Sequence, residues 1–435
     1  MPRTPIAQVL SGVLGDLPIS IRAYDGSAAG VPESGAVAVV DIVRPEALNY
    51  LATSGGELGL GRAYVSGALE LSRPGGGLVS HYDVLKLLAG DAFGKVTWQH
   101  KLQVLRDLGV GVLRPVAPPP QEVRAGVLWG LRHSLTRDAR VISHHYDVSN
   151  RFYEWVLGPS MAYTCAVYPT ADAGLDEAQE EKFDLVCRKL DLQPGQRLLD
   201  VGCGWGRLTR HAAKYYGVQA LGVTLSRQQA EWAQKSLADE GLTDLAEVRF
   251  ADYRSVTETD FDAVASIGLT EHIGVKNLPD YFSFLGGKLK PQGKLLNHCI
   301  TRPDGHDSAK HRGGFIDRYV FPDGELEPVG QLASAVADHG GLEVRHEENL
   351  REHYARTCKA WCDNLDAHWD EAVAEVGLGT AKVWALYLAG SAIGFEQRRI
   401  ELHQILATKT VDGDAGVPLR PDFTRRRPPM TAGDL

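Results

Sequence analysis

The chain has 435 residues, 44% of them hydrophobic and 23% charged, a composition typical of a folded protein of two or three domains. No run of about 18 uncharged apolar residues occurs, so the sequence predicts no bilayer-spanning helix. The net charge of −9 is unfavourable for a general nucleic-acid binder. Six scattered cysteines and a first segment that makes a poor secretory signal predict a cytoplasmic protein with reduced thiols.

The first part of the chain, residues 1–115, mixes short apolar segments with helical patterns. AVAVVDIV at 36–43 has the pattern of a strand, and DVLKLLAGDAF at 83–93 has that of a helix. These features predict a small α+β domain. RPVAPPP at 114–120 breaks any regular element and predicts a linker, after which residues 121–160 have a helical pattern.

From residue 183 onward, apolar strand patterns alternate with amphipathic helices. This alternation predicts a doubly wound, parallel α/β sheet in a larger domain at 121–410. The segment 411–435 is rich in Pro, Gly, Asp and Arg and is expected to be a disordered tail. The predicted strands are RLLDV at 197–201, ALGVTLS at 220–226, EVRFADY at 247–253, FDAVASIG at 261–268 and GKLLNHCI at 293–300.

The segment LLDVGCGWG at 198–206 is typical of a buried strand that passes into a helix through a glycine turn. Glycines at 202, 204 and 206 allow a ligand to approach the backbone closely, and the turn would present N–H groups near a helix N-terminus. Their spacing differs from the G-x-G-x-x-G of dinucleotide sites. The segment therefore favours a nucleotide-type cofactor site, with a purely structural tight turn as the alternative.

The next two strands carry further candidates for cofactor binding. Thr224 ends the second strand, and Gln228 and Gln229 follow in the first turn of a helix, within reach of ribose hydroxyls. Ser226 is also a candidate N-cap for that helix, and both roles are compatible. Asp252 follows the third strand, where a carboxylate can accept a hydrogen bond from an adenine amino group.

Together these motifs resemble the S-adenosylmethionine-dependent cyclopropane-fatty-acyl-phospholipid synthase family. The resemblance covers roughly residues 140–408 and implies a class I methyltransferase, a Rossmann-like doubly wound fold, with the smaller α+β domain preceding it. The motifs that carry it are LLDVGCGWG, GVTLS with its paired glutamines, ADYR at 251–254, TEHIG at 270–274, HHYDVSNRFYEWVL at 144–157, MAYTCAVY at 161–168, RYVFPDGELEP at 318–328 and HYARTCKAW at 353–361. The cofactor contacts that it implies are Tyr163, Thr164, Gly202, Cys203, Gly204, Thr224, Gln229 and Asp252.

Methylation of an alkene leaves a carbocation, so the chemistry requires a water-excluding site, aromatic faces and one base. Candidates beside the cofactor strands are Glu271, His298, Tyr354 and Cys165. The resemblance implies that a bound bicarbonate serves as the base and is held by residues at Cys165, Glu271, His298, Ile300 and Tyr354. His298, the Tyr354 phenol and backbone N–H groups would donate to it, and Glu271 would orient it or accept its proton.

Each candidate also has a plain structural interpretation. A Glu after a strand is commonly a solvated loop residue or a helix cap, and a His in an apolar strand is commonly a core residue. Cys358 and Cys362 lie one helical turn apart, but without a second pair of ligands they favour packing over a zinc site, and we expect no metal. Cys203 is better explained by a turn beside the cofactor than by a nucleophile.

The N-terminal domain favours a phospholipid substrate, because the resemblance associates such a domain with phospholipid-acting relatives rather than with those acting on carrier-bound mycolic precursors. A basic group could contact anionic lipid at the inner face of the membrane, although a solvated helix face would also explain these charges. No nucleic acid partner is expected, and a homodimer is plausible. The basic group comprises Lys95, Lys101, Arg124, Arg132, Arg137 and Arg140.

The product has two forms that the site residues do not distinguish. Proton loss from the added methyl closes a cyclopropane ring, whereas a hydride shift before proton loss gives a methylene branch. AYDGSAAG at 23–30 and GLGRAYVSGALE at 59–70 resemble the actinobacterial branch that makes 10-methylene-stearoyl lipids, precursors of tuberculostearic acid that a partner reductase completes. The prediction is the methylene branch, with the cyclopropane ring, a small-molecule methyltransferase and a non-catalytic membrane protein as alternatives.

Overall fold

The computed structural model describes residues 4–54, 56–91, 98–123, 148–303 and 313–424, and the side chains at 90, 91 and 98–101 lie outside this description. The chain divides into two compact units. The first unit contains residues 1–125, 311–322 and 358–393, and the second contains 126–310, 323–357 and 394–435. The first unit thus takes two segments from within the predicted domain at 121–410, because their side chains pack into its core.

The described strands form two sheets. The strands are Ile19–Ala23 (β1), Ala28–Gly30 (β2), Ala38–Ile42 (β3), Leu69–Ser72 (β4), Arg197–Val201 (β5), Gln219–Thr224 (β6), Ala246–Phe250 (β7), Phe261–Ile267 (β8), Leu289–Thr301 (β9), Glu343–Asn349 (β10) and Glu401–Thr408 (β11).

The described helices cover both units. They are Ile6–Leu14 (α1), Glu46–Thr53 (α2), Gly56–Val65 (α3), His81–Asp91 (α4), Trp98–Leu108 (α5), Asn150–Leu157 (α6), Leu175–Leu190 (α7), Arg207–Tyr216 (α8), Arg227–Asp239 (α9), Leu278–Lys288 (α10), Phe315–Tyr319 (α11), Val329–Asp338 (α12), Arg351–Ala367 (α13), Trp369–Val376 (α14) and Leu378–Glu396 (α15). None of the helices in the described ranges is long and apolar enough to cross a membrane.

The first unit contains a four-stranded sheet in the order β2-β1-β3-β4. β1 and β3 run parallel, while β2 and β4 are antiparallel to their neighbours. The alternating pattern at 36–43 becomes β3, whose inner residues are buried, and helices pack on it. An α+β arrangement of this part of the chain is therefore what the structure contains.

The second unit contains a seven-stranded sheet in the order β10-β11-β9-β8-β5-β6-β7. β7, β6, β5, β8 and β9 are parallel, as the alternation predicts, and buried residues on both faces of the sheet form two apolar clusters. β11 is antiparallel to β9, and β10 is antiparallel to β11. The predicted Rossmann-like doubly wound fold is confirmed, but the sequence patterns missed this antiparallel pair.

The carboxyl ends of the parallel strands position the loops of interest. In doubly wound sheets, ligands bind just outside the carboxyl ends of the strands. They lie at the point where the strand order changes direction, next to the first strand of the fold. Here that strand is β5, flanked by β6 and β8. The basic group predicted for membrane contact (Lys95, Arg124, Arg132, Arg137 and Arg140, with the side chain of Lys101) lies outside the described residues, as do 144–147 and the last part of the predicted tail at 425–435.

Candidate functional site

A cavity opens at the carboxyl ends of β5 and β8, and most of the predicted cofactor residues line it. These are Tyr163, Thr164, Gly202, Cys203, Gly204 and Gln229. Loops from separate parts of the chain thus meet at the glycine turn. The cavity is also lined by Lys182, Asp200, Trp205 and Arg207, which the sequence did not single out.

The glycine turn requires glycine for its backbone conformation. Gly202, Gly204 and Gly206 have φ values of 77°, 54° and 67°, in the left-handed region that other residues rarely adopt. A Cβ at Gly206 would lie 2.9 Å from the Ala233 side chain, whereas one at Gly204 would meet nothing within 4 Å. Gly206 therefore allows close packing of the turn, and Gly204 keeps the cavity wall free of side chains.

Part of the backbone of the glycine turn is engaged in hydrogen bonds within the protein. The N–H groups of Gly202 and Cys203 both donate to the carbonyl of Val223, and that of Gly206 donates to Cys203 O. These bonds hold the turn against the end of β6. Burial raises the pKa of the Cys203 thiol well above its usual value, so this cysteine stays protonated and is a poor nucleophile.

Thr224 and Gln229 act as a pair. The Thr224 hydroxyl donates to Gln229 Oε1 at 2.8 Å, which leaves the amide nitrogen of Gln229 as the group that can donate to a ligand. Gln229 lines the cavity. Thr224 is not part of the lining, but its hydrogen bond orients the Gln229 side chain. Ser226 accepts the backbone N–H of Gln229 and caps α9, so its structural role is confirmed.

Asp252 follows the third parallel strand, as the sequence predicts, and its carboxylate is hydrogen-bonded within its own turn. It lies two residues beyond the end of β7, caps a short 3₁₀ turn, and is outside the lining of the cavity. Its carboxylate accepts from the Arg254 guanidinium through both oxygens at 2.7 Å. A ligand amino group would therefore compete with Arg254 for this carboxylate.

Tyr163 and Thr164 lie on a segment held by helix α7. The side chain of Gln179 donates to the carbonyls of Ala162 and Thr164, and Lys182 Nζ donates to the Thr164 hydroxyl at 2.8 Å. The Tyr163 ring lies 5.8 Å from that of Tyr153. These contacts fix both predicted cofactor residues at the cavity wall.

Glu271 follows β8 in a short 3₁₀ turn and is buried. Its Oε1 accepts the backbone N–H of Ile300 at 2.7 Å, while Oε2 is buried without a hydrogen-bond partner among the described residues. Burial raises the pKa of Glu271 to about 7. This carboxyl is neither a solvated loop group nor a helix cap, and it can exchange a proton near neutral pH.

His298 lies on β9 and is 1% exposed. Lys189, which can only donate, binds Gln404 Oε1, so the Gln404 amide nitrogen donates to His298 Nδ1. The ring proton therefore lies on Nε2, which is buried without a partner in the described part of the chain. Burial and the nearby lysines lower the pKa of His298 well below its usual value, which keeps the ring neutral.

Cys165 and Tyr354 both contact the carbonyl of Leu350, Cys165 through its thiol and Tyr354 through its backbone N–H. The Cys165 thiol donates to the carbonyls of Ala166 and Leu350, and burial raises its pKa. Tyr354 lies one turn after Leu350 on α13, and its ring stacks on Phe395 with centroids 4.4 Å apart. The thiol is thus a weak donor, and the phenol belongs to an aromatic pair.

Hydrogen bonds and strand register connect four of the predicted reaction residues, Cys165, Glu271, His298 and Ile300, through β9 and β11. His298 and Ile300 share a face of β9, and their partners on β11 are Gln404 and Leu402. Leu402 accepts the N–H of Leu350, the residue that also accepts from Cys165. The backbone N–H of Ile300 donates to Glu271, so this group is already engaged. Glu271 Oε2 and His298 Nε2 are among the buried polar atoms without partners in the described residues, and they offer one acceptor and one donor.

Comparisons with known proteins agree with this geometry. A probable fatty acid methyltransferase of Mycobacterium tuberculosis is 54% identical over 431 residues, which cover 96% of this chain and 98% of that protein. A tuberculostearic acid methyltransferase from the same organism is 30% identical over 93% of this chain and 92% of its own length. The crystal structure of a mycolic acid cyclopropane synthase complexed with S-adenosylhomocysteine superposes with a TM-score of 0.58 and 32% identity, over 62% of this chain and 98% of that one.

The sheet order, the glycine turn and the cavity define a class I methyltransferase that depends on S-adenosylmethionine. Residues 133–405 match the model of the mycolic acid cyclopropane synthetase family. The chain belongs to this family, whose relatives here are S-adenosylmethionine-dependent methyltransferases of fatty acids and lipids.

Proposed function

We propose that this enzyme transfers a methyl group from S-adenosylmethionine to the cis double bond of an oleoyl-type chain in a phospholipid, and that the product carries a 10-methylene branch. The observation that carries the proposal is that Glu271 Oε2 and His298 Nε2, on and beside strands next to the cofactor cavity, are both buried without partners among the described residues. An enzyme that methylates an amine or a hydroxyl has no need of a separate buried oxyanion site.

The cofactor supplies an electrophilic methyl group when it is bound. Gln229, held by Thr224, offers an amide donor, and Gly204 leaves the wall of the cavity open to a close approach. Tyr163 and Thr164 close the cavity on the side of α7. These residues orient the donor and exclude water.

Bicarbonate fits the second position as the base. The neutral His298 ring would hold it by donating from Nε2, Glu271 Oε2 would accept its hydroxyl proton, and the bound ion would supply the base. The alkene π electrons form the new bond to the methyl carbon as the sulfur–methyl bond breaks. A hydride then shifts to the cationic carbon, the new methyl group loses a proton to bicarbonate, and its C–H electrons form the exocyclic double bond.

The branched product is supported by resemblance more than by the site. The tuberculostearic acid methyltransferase aligns over 93% of this chain, including the N-terminal region that precedes the family match at 133–405. A methylene product requires reduction before it becomes a methyl branch, so we include a partner reductase in the proposal. A phospholipid substrate also requires peripheral association with the inner face of the membrane.

The test is incubation of the full chain with S-adenosylmethionine, bicarbonate and dioleoyl phospholipid vesicles, followed by mass spectrometry of the fatty acid methyl esters. A gain of one CH₂ unit is expected. Ozonolysis then cleaves a methylene branch to a ketone and leaves a cyclopropane intact. If no unsaturated lipid gains mass, the proposal of a lipid substrate is wrong. If the product gains mass but resists ozone, it is a cyclopropane and not a methylene branch.

A further inference from the structure

Lys182 lies at the wall of the cofactor cavity and has no role in the function proposed above. It is on α7, only 2% exposed, and lines the cavity together with Thr164 and Asp200. Its Nζ donates to the Thr164 hydroxyl at 2.8 Å and lies 4.0 Å from the centre of the Phe183 ring. A buried ammonium is costly unless an anion compensates its charge.

A second buried lysine of the same helix, Lys189, has its charge compensated by a carboxylate. Lys189 is also 2% exposed, and its Nζ binds Glu348 at 2.5 Å and Gln404 at 2.7 Å. Within the described ranges, by contrast, no carboxylate lies within 4.0 Å of Lys182 Nζ. Burial accordingly lowers the pKa of Lys182 to about 7. Of these two buried lysines, the one that lacks a carboxylate partner faces the cavity.

The polar groups around Lys182 match the two ends of an amino acid. Thr164 accepts from Lys182, so its own hydroxyl proton is free to point towards a ligand. Asp200, at the end of β5, is 1% exposed and lines the same cavity, with Oδ2 bound by the Thr209 hydroxyl. The Lys182 ammonium with the Thr164 hydroxyl, and the Asp200 carboxylate, line the same cavity and are complementary to a ligand that carries both a carboxylate and an ammonium.

We propose that Lys182, together with the Thr164 hydroxyl, binds the carboxylate of the amino-acid portion of S-adenosylmethionine. Lys182 is then a binding residue that selects ligands carrying this carboxylate, rather than a lysine retained for packing. The inference rests on the assignment of the cavity to the cofactor and is independent of the acyl product.

The test compares two ligands by calorimetry on the full chain: S-adenosylhomocysteine and its decarboxylated analogue, which lacks only the carboxylate. The unmodified protein should prefer S-adenosylhomocysteine by about 10-fold or more, the contribution of a charged hydrogen bond. In Lys182→Met, the Kd for S-adenosylhomocysteine should rise by that factor, while the Kd for the analogue stays the same. The preference of the unmodified protein tests the proposal even if the variant folds poorly.

Lys189→Met is the matched control, because it makes the same change at a buried lysine of the same helix. It should lower stability but keep the ratio of the two Kd values. Equal affinity of the unmodified chain for both ligands, or equal weakening of both by Lys182→Met, would overturn the proposal. So would a Lys182→Met protein with unchanged ligand selectivity and an altered bicarbonate dependence of turnover. If neither ligand binds the unmodified chain, the cofactor assignment itself fails, and the acyl product is tested separately.

Discussion

Glu271 and Ile300 are joined by a hydrogen bond of 2.7 Å from the Ile300 N–H to one carboxylate oxygen, while the other oxygen is buried without a partner among the described residues. The bond fixes the direction of the carboxyl group, because Ile300 lies on a central strand of the sheet. A carboxyl that is held at one oxygen and available at the other is suited to proton exchange with a small bound acid or base.

Replacing Glu271 by Gln should therefore abolish most of the turnover without weakening cofactor binding. The amide oxygen of the new side chain can still accept from Ile300 N–H, but the amide cannot exchange a proton, so we expect kcat to fall by roughly 100-fold or more. The Kd for S-adenosylhomocysteine should stay the same, since Glu271 lines a different cavity. Glu231→Gln, on the exposed face of α9, is the matched control. Unchanged turnover in Glu271→Gln would remove Glu271 from the mechanism.

The free energy of unfolding should depend on pH through the ionisation of Glu271. Burial raises its pKa from 4.5 to about 7, so between these values the unfolded chain releases a proton that the folded chain retains. The stability that this proton contributes is present below pH 4.5 and is lost as the pH rises through 7. From pH 5 to pH 8, Glu271→Gln should gain about 2 kcal/mol relative to the unmodified chain.

Urea unfolding at both pH values in bicarbonate-free buffer measures this difference. Glu231→Gln, at an exposed position on α9, is the control for the substitution itself. If Glu271→Gln changes the free energy of unfolding by the same amount at pH 5 and pH 8, the Glu271 carboxyl ionises in the folded protein as it does in water.

The parallel strands and most of the cavity could be predicted from the sequence because their signals are local. Apolar runs that end in glycine, threonine or a loop mark strand ends, and parallel strands place their ends at one edge. β11 lacks such a signal, since ELHQILAT alternates neither cleanly nor in a continuous apolar run. All its residues are buried, and the polar side chains in its middle, His403 and Gln404, bind Thr301 and Lys189, which are far away in sequence.

Lys182, Asp252 and Gln404 illustrate the same limit. Lys182 has the pattern of a charged helix face, and only the packing of α7 reveals that it is buried. The position of Asp252 was predictable, but its engagement by Arg254 depends on the local turn. Gln404 sets the tautomer of His298 across 106 residues of sequence, a relation that neither segment signals by itself.

Gln404→Met should impair the reaction through His298. The substitution removes the donor to Nδ1, so the ring proton is no longer confined to Nε2. Loss of this hydrogen bond to the ring should cost roughly 10-fold in activity, with a higher apparent KM for bicarbonate. The ¹⁵N chemical shifts of the His298 ring should change from one tautomer to a mixture. A ring that stays in the Nε2–H form would contradict the proposed role of Gln404.

The glycine turn offers a pair of substitutions whose effects should separate. In Gly206→Ala the new Cβ would lie 2.9 Å from the Ala233 side chain and 3.0 Å from Val248, at a φ of 67°. The left-handed conformation and the overpacking together should destabilise the protein by about 2–4 kcal/mol. Gly204→Ala has a similar φ of 54° but open space around the new Cβ, so it should lose only about 1 kcal/mol.

Cofactor binding should follow the opposite order. Gly204 lines the cavity, and its added methyl group would occupy space next to the ligand, whereas Gly206 packs towards α9 and β7. Urea unfolding and S-adenosylhomocysteine calorimetry on the two variants measure both quantities. Because the backbone strain is nearly matched, a difference in unfolding free energy reports on the Ala233 and Val248 contacts, and a difference in Kd reports on the cavity wall. If Gly204→Ala binds the ligand as tightly as the unmodified chain, the glycine turn does not form the cofactor surface that its position in the cavity implies.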